Sequence, residues 1–158
     1  KISHRQKFIE YSPLSMEYLK LISKIIKLNS GGLLIIDYGH TDEKMKNTLK
    51  SISKHKLSDV LENFGKSDIT YDINFKLIEK IVKKLGLKVN GIADQKNFLQ
   101  ELGILERAEI ISKNLPFSEK ANIYFRVKRL IDENSIGKLF KVMFVTRKNI
   151  QFRTGFKN

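Results

Sequence analysis

The stretch "GGLLIIDYGH", from Gly31 to His40, decides how the rest of the chain is interpreted. Its four consecutive apolar residues, Leu33–Ile36, are typical of a short strand buried on both faces of a parallel sheet. In open α/β sheets, ligands bind just beyond the carboxyl ends of the strands. We therefore predict a buried strand over Leu33–Ile36 that delivers Asp37 to a ligand site. The alternative is that Asp37 caps a turn in which Gly39 takes a positive φ.

The segments on either side of this strand have the spacing of helices. Ser12 followed by Pro13 predicts a helix start, and apolar residues then recur at helical spacing until Gly31. Asp72 is predicted to cap a second helix, which ends at Gly86. Leu87–Ile92 is the next predicted strand. Together, these elements indicate an α/β fold that contains a βαβ unit.

The remaining chain is predicted to be one partial domain, residues 1–158, with an insertion at 41–71 that holds a short helix near Thr48–Ser53. Later segments with helical spacing are Gln95–Leu102, Leu105–Lys113 and Ser118–Ile131. Leu139–Thr146, "LFKVMFVT", is the clearest predicted strand of the second half.

Composition excludes several classes of function. The chain has 158 residues, 41% of them hydrophobic, and no cysteine. Its three histidines (His4, His40 and His55) are too scattered to predict a zinc site, and no apolar run is long enough to span a bilayer. The net charge of +13 would suggest nucleic acid, but only six of the 30 basic residues are arginine. Such a lysine excess is expected from the codon bias of an AT-rich genome.

Several segments resemble one family in the same order: "EYSP" (10–13), "GGLLIIDYGH" (31–40), "TLKSISKHKLSDVL" (48–61), "SDITYDINF" (67–75), "DQKNFLQELGILERA" (94–108), "IGKLFKVMFV" (136–145) and "TGF" (154–156). They are similar to the C-terminal part of the MidA-like family of S-adenosylmethionine-dependent methyltransferases. The resemblance implies the C-terminal portion of a Rossmann-like class I methyltransferase sheet with helical insertions. Leu33–Ile36 would be its fifth strand, and Leu87–Ile92 and Leu139–Thr146 its terminal pair.

The resemblance also implies S-adenosylmethionine as the cofactor, although the family's main binding motifs are missing from this chain. Gly31-Gly32 precedes a strand rather than following one, so it does not match the family's glycine-rich loop. The chain begins with lysine, which suggests a fragment or a trimmed chain. We therefore expect the isolated chain to be inactive, with a separate N-terminal half as a candidate partner. No cofactor-binding residue can be assigned.

The family's mitochondrial member is a complex I assembly factor that methylates a protein arginine. The implied partner is thus a protein substrate, such as a complex I subunit, without specific nucleic-acid binding. The implied compartment is the bacterial cytoplasm or the mitochondrial matrix.

Carboxylates can align a guanidinium through paired hydrogen bonds, so the acidic residues that match the family's motifs are the first catalytic candidates. These are Asp37, Asp68 and Asp72. Asp68, Thr70 and Asp72 alternate, so in an extended segment they would share one face, although Thr70 and Asp72 could equally cap the helix that follows.

Tyr38 could close over the substrate or simply pack, and His55 could shuttle a proton or lie exposed among lysines. Asn74 stands where the family usually has an aspartate. Gln95, Phe98, Leu99 and Arg107 match a further family segment. Of these, Phe98 and Leu99 are predicted core residues, and Arg107 is predicted to pair with a carboxylate of the site or of its own surface.

Two other functions stay open at this point. A basic nucleic-acid-binding module would use the lysine-rich helices and the tail, but Phe140 and Phe144 fall in an apolar strand rather than among exposed basic residues. The other possibility is an inactive remnant of a split gene.

Overall fold

A computed structural model describes residues 7–54, 56–62 and 65–156. The described elements, in chain order, are α1 (Pro13–Asn29), β1 (Gly32–His40), β2 (Lys50–Ser53), β3 (Lys56–Ser58), β4 (Asp68–Thr70), β5 (Ile73–Asn74), α2 (Phe75–Lys84), β6 (Leu87–Asp94), α3 (Gln95–Glu101), α4 (Ile104–Ser112), α5 (Phe117–Ile131), α6 (Ile136–Leu139) and β7 (Phe140–Arg147).

The main sheet has four strands in the order β5-β1-β7-β6. β7 runs antiparallel to both β1 and β6, whereas β5 runs parallel to β1. β1 and β6 therefore point the same way with β7 between them, so the predicted βαβ unit has parallel strands that are not neighbours. The predicted strands at Leu33–Ile36, Leu87–Ile92 and Leu139–Thr146 are confirmed as β1, β6 and β7, and β6 pairs with β7 at one edge of the sheet.

The described helices pack against both faces of the sheet, although on one face they leave β1 uncovered. On one face, Met143 and Val145 of β7 pack with Phe75 and Val82 of α2 and with residues of α1. On the other face, Val142 packs with Phe98 of α3 and with Phe156 of the C-terminal segment. Alternate side chains of β7 thus belong to separate cores, as the two-residue period of a strand requires.

β1 differs from its prediction in both length and burial. It extends to His40, so Asp37 lies within the strand and not beyond its end, because residues 32–38 pair with β7. The prediction of burial on both faces is wrong. Leu33 and Ile35 pack into the core, whereas Leu34 and Ile36 are each 47% exposed because no described helix covers that face of β1.

The predicted helix near Thr48–Ser53 is also wrong. Lys50–Ser53 is strand β2, the centre of a separate three-stranded sheet with the order β3-β2-β4. The Ser51 side chain is fully buried in this small sheet, and its hydroxyl lies 3.0 Å from that of Ser58. Lys54, with φ 49°, makes the turn between β2 and β3.

Helix starts and ends follow local rules, with one correction. The Ser12 hydroxyl accepts a hydrogen bond from the Ser15 N–H, as predicted for the cap of α1. The predicted cap of α2, Asp72, is wrong. Asn74 caps α2 by accepting the Leu77 N–H at 2.9 Å, because pairing with β1 keeps the chain extended through Asn74.

The predicted helices of the second half are confirmed as α3, α4 and α5, with ends that differ by one residue. The short helix α6 was not predicted.

Candidate functional site

A polar cluster lies where β1 ends beside β5. Gly39 and His40 pair with Ile73 and Asn74, which brings residue 72 next to the carboxyl end of β1. Glycine is needed at position 39 because a Cβ there would lie only 2.1 Å from the carbonyl oxygen of Ile73. The close approach of the two strands therefore depends on the glycine of the "DYGH" motif.

Thr48 connects three segments at this point. Its Oγ1 donates to Glu10 Oε2 at 2.6 Å and accepts the Asp72 N–H at 2.8 Å. Its own N–H donates to Glu10 Oε1 at 3.3 Å. One partly buried hydroxyl thus joins the segment preceding α1, the segment between β1 and β2, and the approach to β5.

The carboxylate of Asp72 is paired with a cation. Lys50 Nζ lies 2.8 Å from Asp72 Oδ1, and both side chains are partly exposed. Thr70 of β4 lies directly across from Lys50 in the small sheet. The cluster therefore contains two carboxylates, Glu10 and Asp72, together with one cation.

His40 stands beside this cluster at the end of β1. Burial, followed by the charge of Lys46, lowers its pKa below 6.5, although the charges of Asp42, Asp72 and Glu10 act in the opposite direction. The ring is therefore mostly neutral at pH 7. Its Nδ1 lies 3.3 Å from both the backbone nitrogen and the Oδ2 carboxylate oxygen of Asp42.

Asp37 and Tyr38 make other contacts. Asp37 Oδ1 accepts the N–H of Tyr38 at 2.8 Å, and Asp37 lies across from Lys141 of β7. The Tyr38 ring meets Phe140 edge-on, with centroids 5.0 Å apart.

The other predicted site residues are dispersed. Asp68 is exposed on β4, and Arg107 is exposed on α4. Gln95 donates to the carbonyl of Leu130, while Phe98 and Leu99 belong to the second core, as predicted. His55 lies outside the described residues.

A groove opens next to the cluster. It has a volume of about 350 Å³ and is lined by eight residues: Phe8, Ile9, Glu10, Tyr11, Lys46, Asn47, Leu49 and Tyr71. Within residues 7–54, 56–62 and 65–156, no group of three or more histidines and acidic residues is arranged to hold a metal ion. No helix in those ranges is both long and apolar enough to cross a membrane.

The structure thus brings Thr70 and Asp72 together from the predicted set and adds four residues that sequence reasoning missed: Glu10, His40, Thr48 and Lys50. All four lie in segments that resemble the family. Glu10 lies in "EYSP", His40 in "GGLLIIDYGH", and Thr48 and Lys50 in "TLKSISKHKLSDVL". Their proximity depends on the pairing of β1 with β5, for which a two-residue strand leaves no periodic signal.

A mixed sheet of this order, with helices on both faces and polar residues at one strand end, defines a Rossmann-like α/β protein. Residues 1–93 match the family model described as "Putative S-adenosyl-L-methionine-dependent methyltransferase". The chain belongs to this family.

Curated relatives agree with the family match. The chain is 30% identical over 126 residues to the zebrafish (Danio rerio) "Protein arginine methyltransferase NDUFAF7, mitochondrial". This alignment covers 80% of this chain and 29% of the relative. The Drosophila melanogaster homologue is 31% identical over 137 residues, in an alignment that covers 85% of this chain and 31% of the homologue. The chain therefore spans about a third of the length of these relatives.

Two solved structures from Burkholderia thailandensis have the same fold. A COG1565 superfamily protein aligns with a TM-score of 0.76 at 24% identity, covering 94% of this chain and 41% of that one. A second member of that superfamily, bound to S-adenosyl-homocysteine, aligns with a TM-score of 0.68 at 25% identity, covering 91% and 36%.

The described residues do not by themselves fit S-adenosylmethionine. Its usual cradle is a glycine-rich turn after a strand, where the missing side chains let the backbone approach the ligand. Here the chain's own atoms fill the space beside three glycines: β5 at Gly39 of β1, the Phe156 ring at Gly91 of β6 and the Phe98 ring at Gly155 in the C-terminal turn. Gly31 precedes β1. We therefore assign no cofactor contact to the described part of the chain.

Proposed function

We propose that this chain forms the acceptor side of an S-adenosylmethionine-dependent methyltransferase and that the acceptor is an arginine of a protein. The observation that carries the proposal is the Glu10–Thr48–Asp72 cluster at the carboxyl end of β1, beside an open groove. Ligands of open α/β sheets bind at that edge. The family match and the relatives' names support the reaction and the acceptor.

The chemistry of the cluster suits a guanidinium. An arginine side chain stays charged in proteins and presents donors that match carboxylate oxygens. Lys50 already occupies one oxygen of Asp72, so Asp72 accepts a cation in this structure. In this proposal Glu10 and Asp72 position the acceptor, Thr48 holds both, and neutral His40 lines the approach. Asp37 lies three residues before His40, and Asp68 lies four residues before Asp72. Both remain secondary candidates for positioning the acceptor.

The cofactor site would come from a further polypeptide portion that docks on one face of this chain. Five residues of α1 with heptad-like spacing are about half exposed or more: Leu14, Tyr18, Leu21, Ile25 and Leu28. On the side of β1 away from β7, the described strands pair only with Gly39 and His40. An apolar helix stripe beside an open strand edge favours a partner that adds a strand.

The resemblance to the MidA-like family extends the proposal to complex I assembly. The acceptor would then be a complex I subunit, in the mitochondrial matrix or in a bacterial cytoplasm. The nucleic-acid alternative gains no support, because Phe140 contacts Tyr38 and Phe144 contacts Phe152 with ring centroids 4.6 Å apart.

The proposal is tested with a chimera in which this chain replaces the matching third of the zebrafish relative. The chimera is incubated with tritiated S-adenosylmethionine and a mitochondrial protein extract, and tritium incorporated into protein is counted. We expect transfer, and we expect Asp72→Asn to lower it by about ten- to hundredfold, the worth of a charged hydrogen bond.

Asp59→Asn is the matched control. Asp59 is exposed, and its Oδ1 accepts only a local N–H from Leu61 among the hydrogen bonds described for it. A chimera that melts cooperatively and binds cofactor but transfers no methyl group would contradict the proposal.

A further inference from the structure

The groove beside the cluster is lined by aromatic side chains and by one acidic residue. Three of its side chains are aromatic (Phe8, Tyr11 and Tyr71), and Glu10 supplies a carboxylate. Phe8 and Tyr11 are 42% and 48% exposed, so their rings are accessible from solvent. Aromatic faces attract cations, most strongly where water is partly excluded.

The Glu10 carboxylate retains hydrogen-bonding capacity beyond its two bonds from Thr48. An ionised carboxylate offers about four lone-pair sites, and Thr48 uses one on each oxygen of Glu10. The two bonds from Thr48 also fix the orientation of the carboxylate. A planar guanidinium could therefore meet a pre-oriented acceptor without displacing a bond.

Among the described residues that line the groove, the one cation is already neutralised. Lys46 forms an ion pair with Asp42, four residues earlier in the chain. The charge left for a ligand is the negative charge of Glu10. Aromatic rings around a single carboxylate suit an organic cation rather than an anion or an apolar ligand.

We propose that this groove, formed by Phe8, Glu10, Tyr11 and Tyr71, is the subsite that binds the side chain of the acceptor arginine and selects arginine over a neutral side chain. This inference rests on the proposed function, because that function supplies arginine as the cation. The Glu10 carboxylate pairs with the guanidinium, and the rings lie against its flat faces.

The test uses the 158-residue chain and three short peptides that differ at one position: arginine, lysine or citrulline. Citrulline keeps the shape of arginine and removes its charge. Binding is followed by the NMR shifts of the protein's amide groups during titration. We expect saturable binding of the arginine peptide, weaker binding of the lysine peptide and none of the citrulline peptide.

Substitutions locate the site. Tyr11→Leu and Tyr71→Leu should each weaken arginine binding by roughly two- to thirtyfold, the range for one cation–π contact. Glu10→Gln, which keeps an oxygen for Thr48, should abolish the preference over citrulline. Tyr124→Leu, on α5, is the control and should bind like the parent chain. Circular dichroism melts confirm that each variant folds.

Absence of arginine binding, or equal binding by the groove variants and the control, would overturn the inference. The chimera distinguishes this failure from failure of the proposed function. If Tyr11→Leu and Tyr71→Leu do not change methyl transfer to arginine, the proposed function stands and the groove is not the arginine subsite. If a folded chimera binds arginine through the groove but transfers no methyl group, the groove assignment stands and the proposed function is refuted.

Discussion

Replacing Thr48 with valine should loosen the site while conserving its shape. Thr48 Oγ1 donates to a Glu10 carboxylate oxygen and accepts the Asp72 N–H, and valine can do neither. A hydrogen bond to a charged group contributes about 1.5–3 kcal/mol and a neutral one about 0.5–1.5 kcal/mol. Because both partners are only partly buried, water replaces part of the lost hydrogen bonding. We therefore expect the free energy of unfolding to fall by about 2 kcal/mol.

Urea denaturation measures this loss directly, and for a domain of this size the melting temperature should fall by roughly 4–8 °C. Thr41→Val is the control, since Thr41 is exposed in the same connection between β1 and β2. The control should stay within about 0.5 kcal/mol of the parent chain. A Thr48→Val protein as stable as the control would refute the idea that this hydroxyl joins the three segments.

Three further predictions concern the cofactor, the exposed face and pH. The isolated chain should show no melting shift with S-adenosylmethionine; a shift of about 5–10 °C, expected for a ligand at a hundred times its Kd, would count against our assignment. The apparent mass of the isolated chain in sedimentation should rise with concentration because the apolar stripe of α1 is exposed, and the double variant Leu21→Glu, Ile25→Glu should suppress this rise. A parent chain that stays monomeric would show that the stripe does not require a partner. Burial raises the pKa of Glu79, but hydrogen bonds from Lys76 and Lys83 outweigh it and hold the pKa below 4.5, so the stability lost in Glu79→Gln should be full at pH 7 and vanish as pH falls below 4.5. If Glu79→Gln destabilises the protein equally at about pH 3 and at pH 7, the ionised Glu79 carboxylate is not the source of that stability.

The sequence predicted the elements with strong periodicity and missed those set by pairing between distant segments. The helices around Leu19 and Val82 and the strand around Val142 were found because their apolar residues follow one period over several turns or pairs. The helix predicted at β2 is wrong because the four residues of the strand are too few to distinguish a helical from a strand period. Its buried residue is a serine, which carries no apolar signal.

The candidate site was only partly predictable for the same reason. An apolar run marked the start of β1 but not its end, since Asp37–His40 continue the strand as polar residues paired with β7 and β5. The charge of Asp72 makes it a candidate from sequence, yet its partner Lys50 lies 22 residues away and becomes a neighbour only through the pairing of β2 with β4. Glu10 reaches Thr48 across 38 residues.

The identity of the methylated residue tests the central claim most directly. Protein methylated by the chimera is digested, and the modified residue is located by tandem mass spectrometry, with the Asp72→Asn chimera processed in parallel. The account predicts methyl groups on arginine, strongly reduced by Asp72→Asn, because two carboxylates at the end of β1 are suited to a guanidinium. Methyl groups confined to lysine or another residue, or arginine methylation that is indifferent to Asp72, would contradict it.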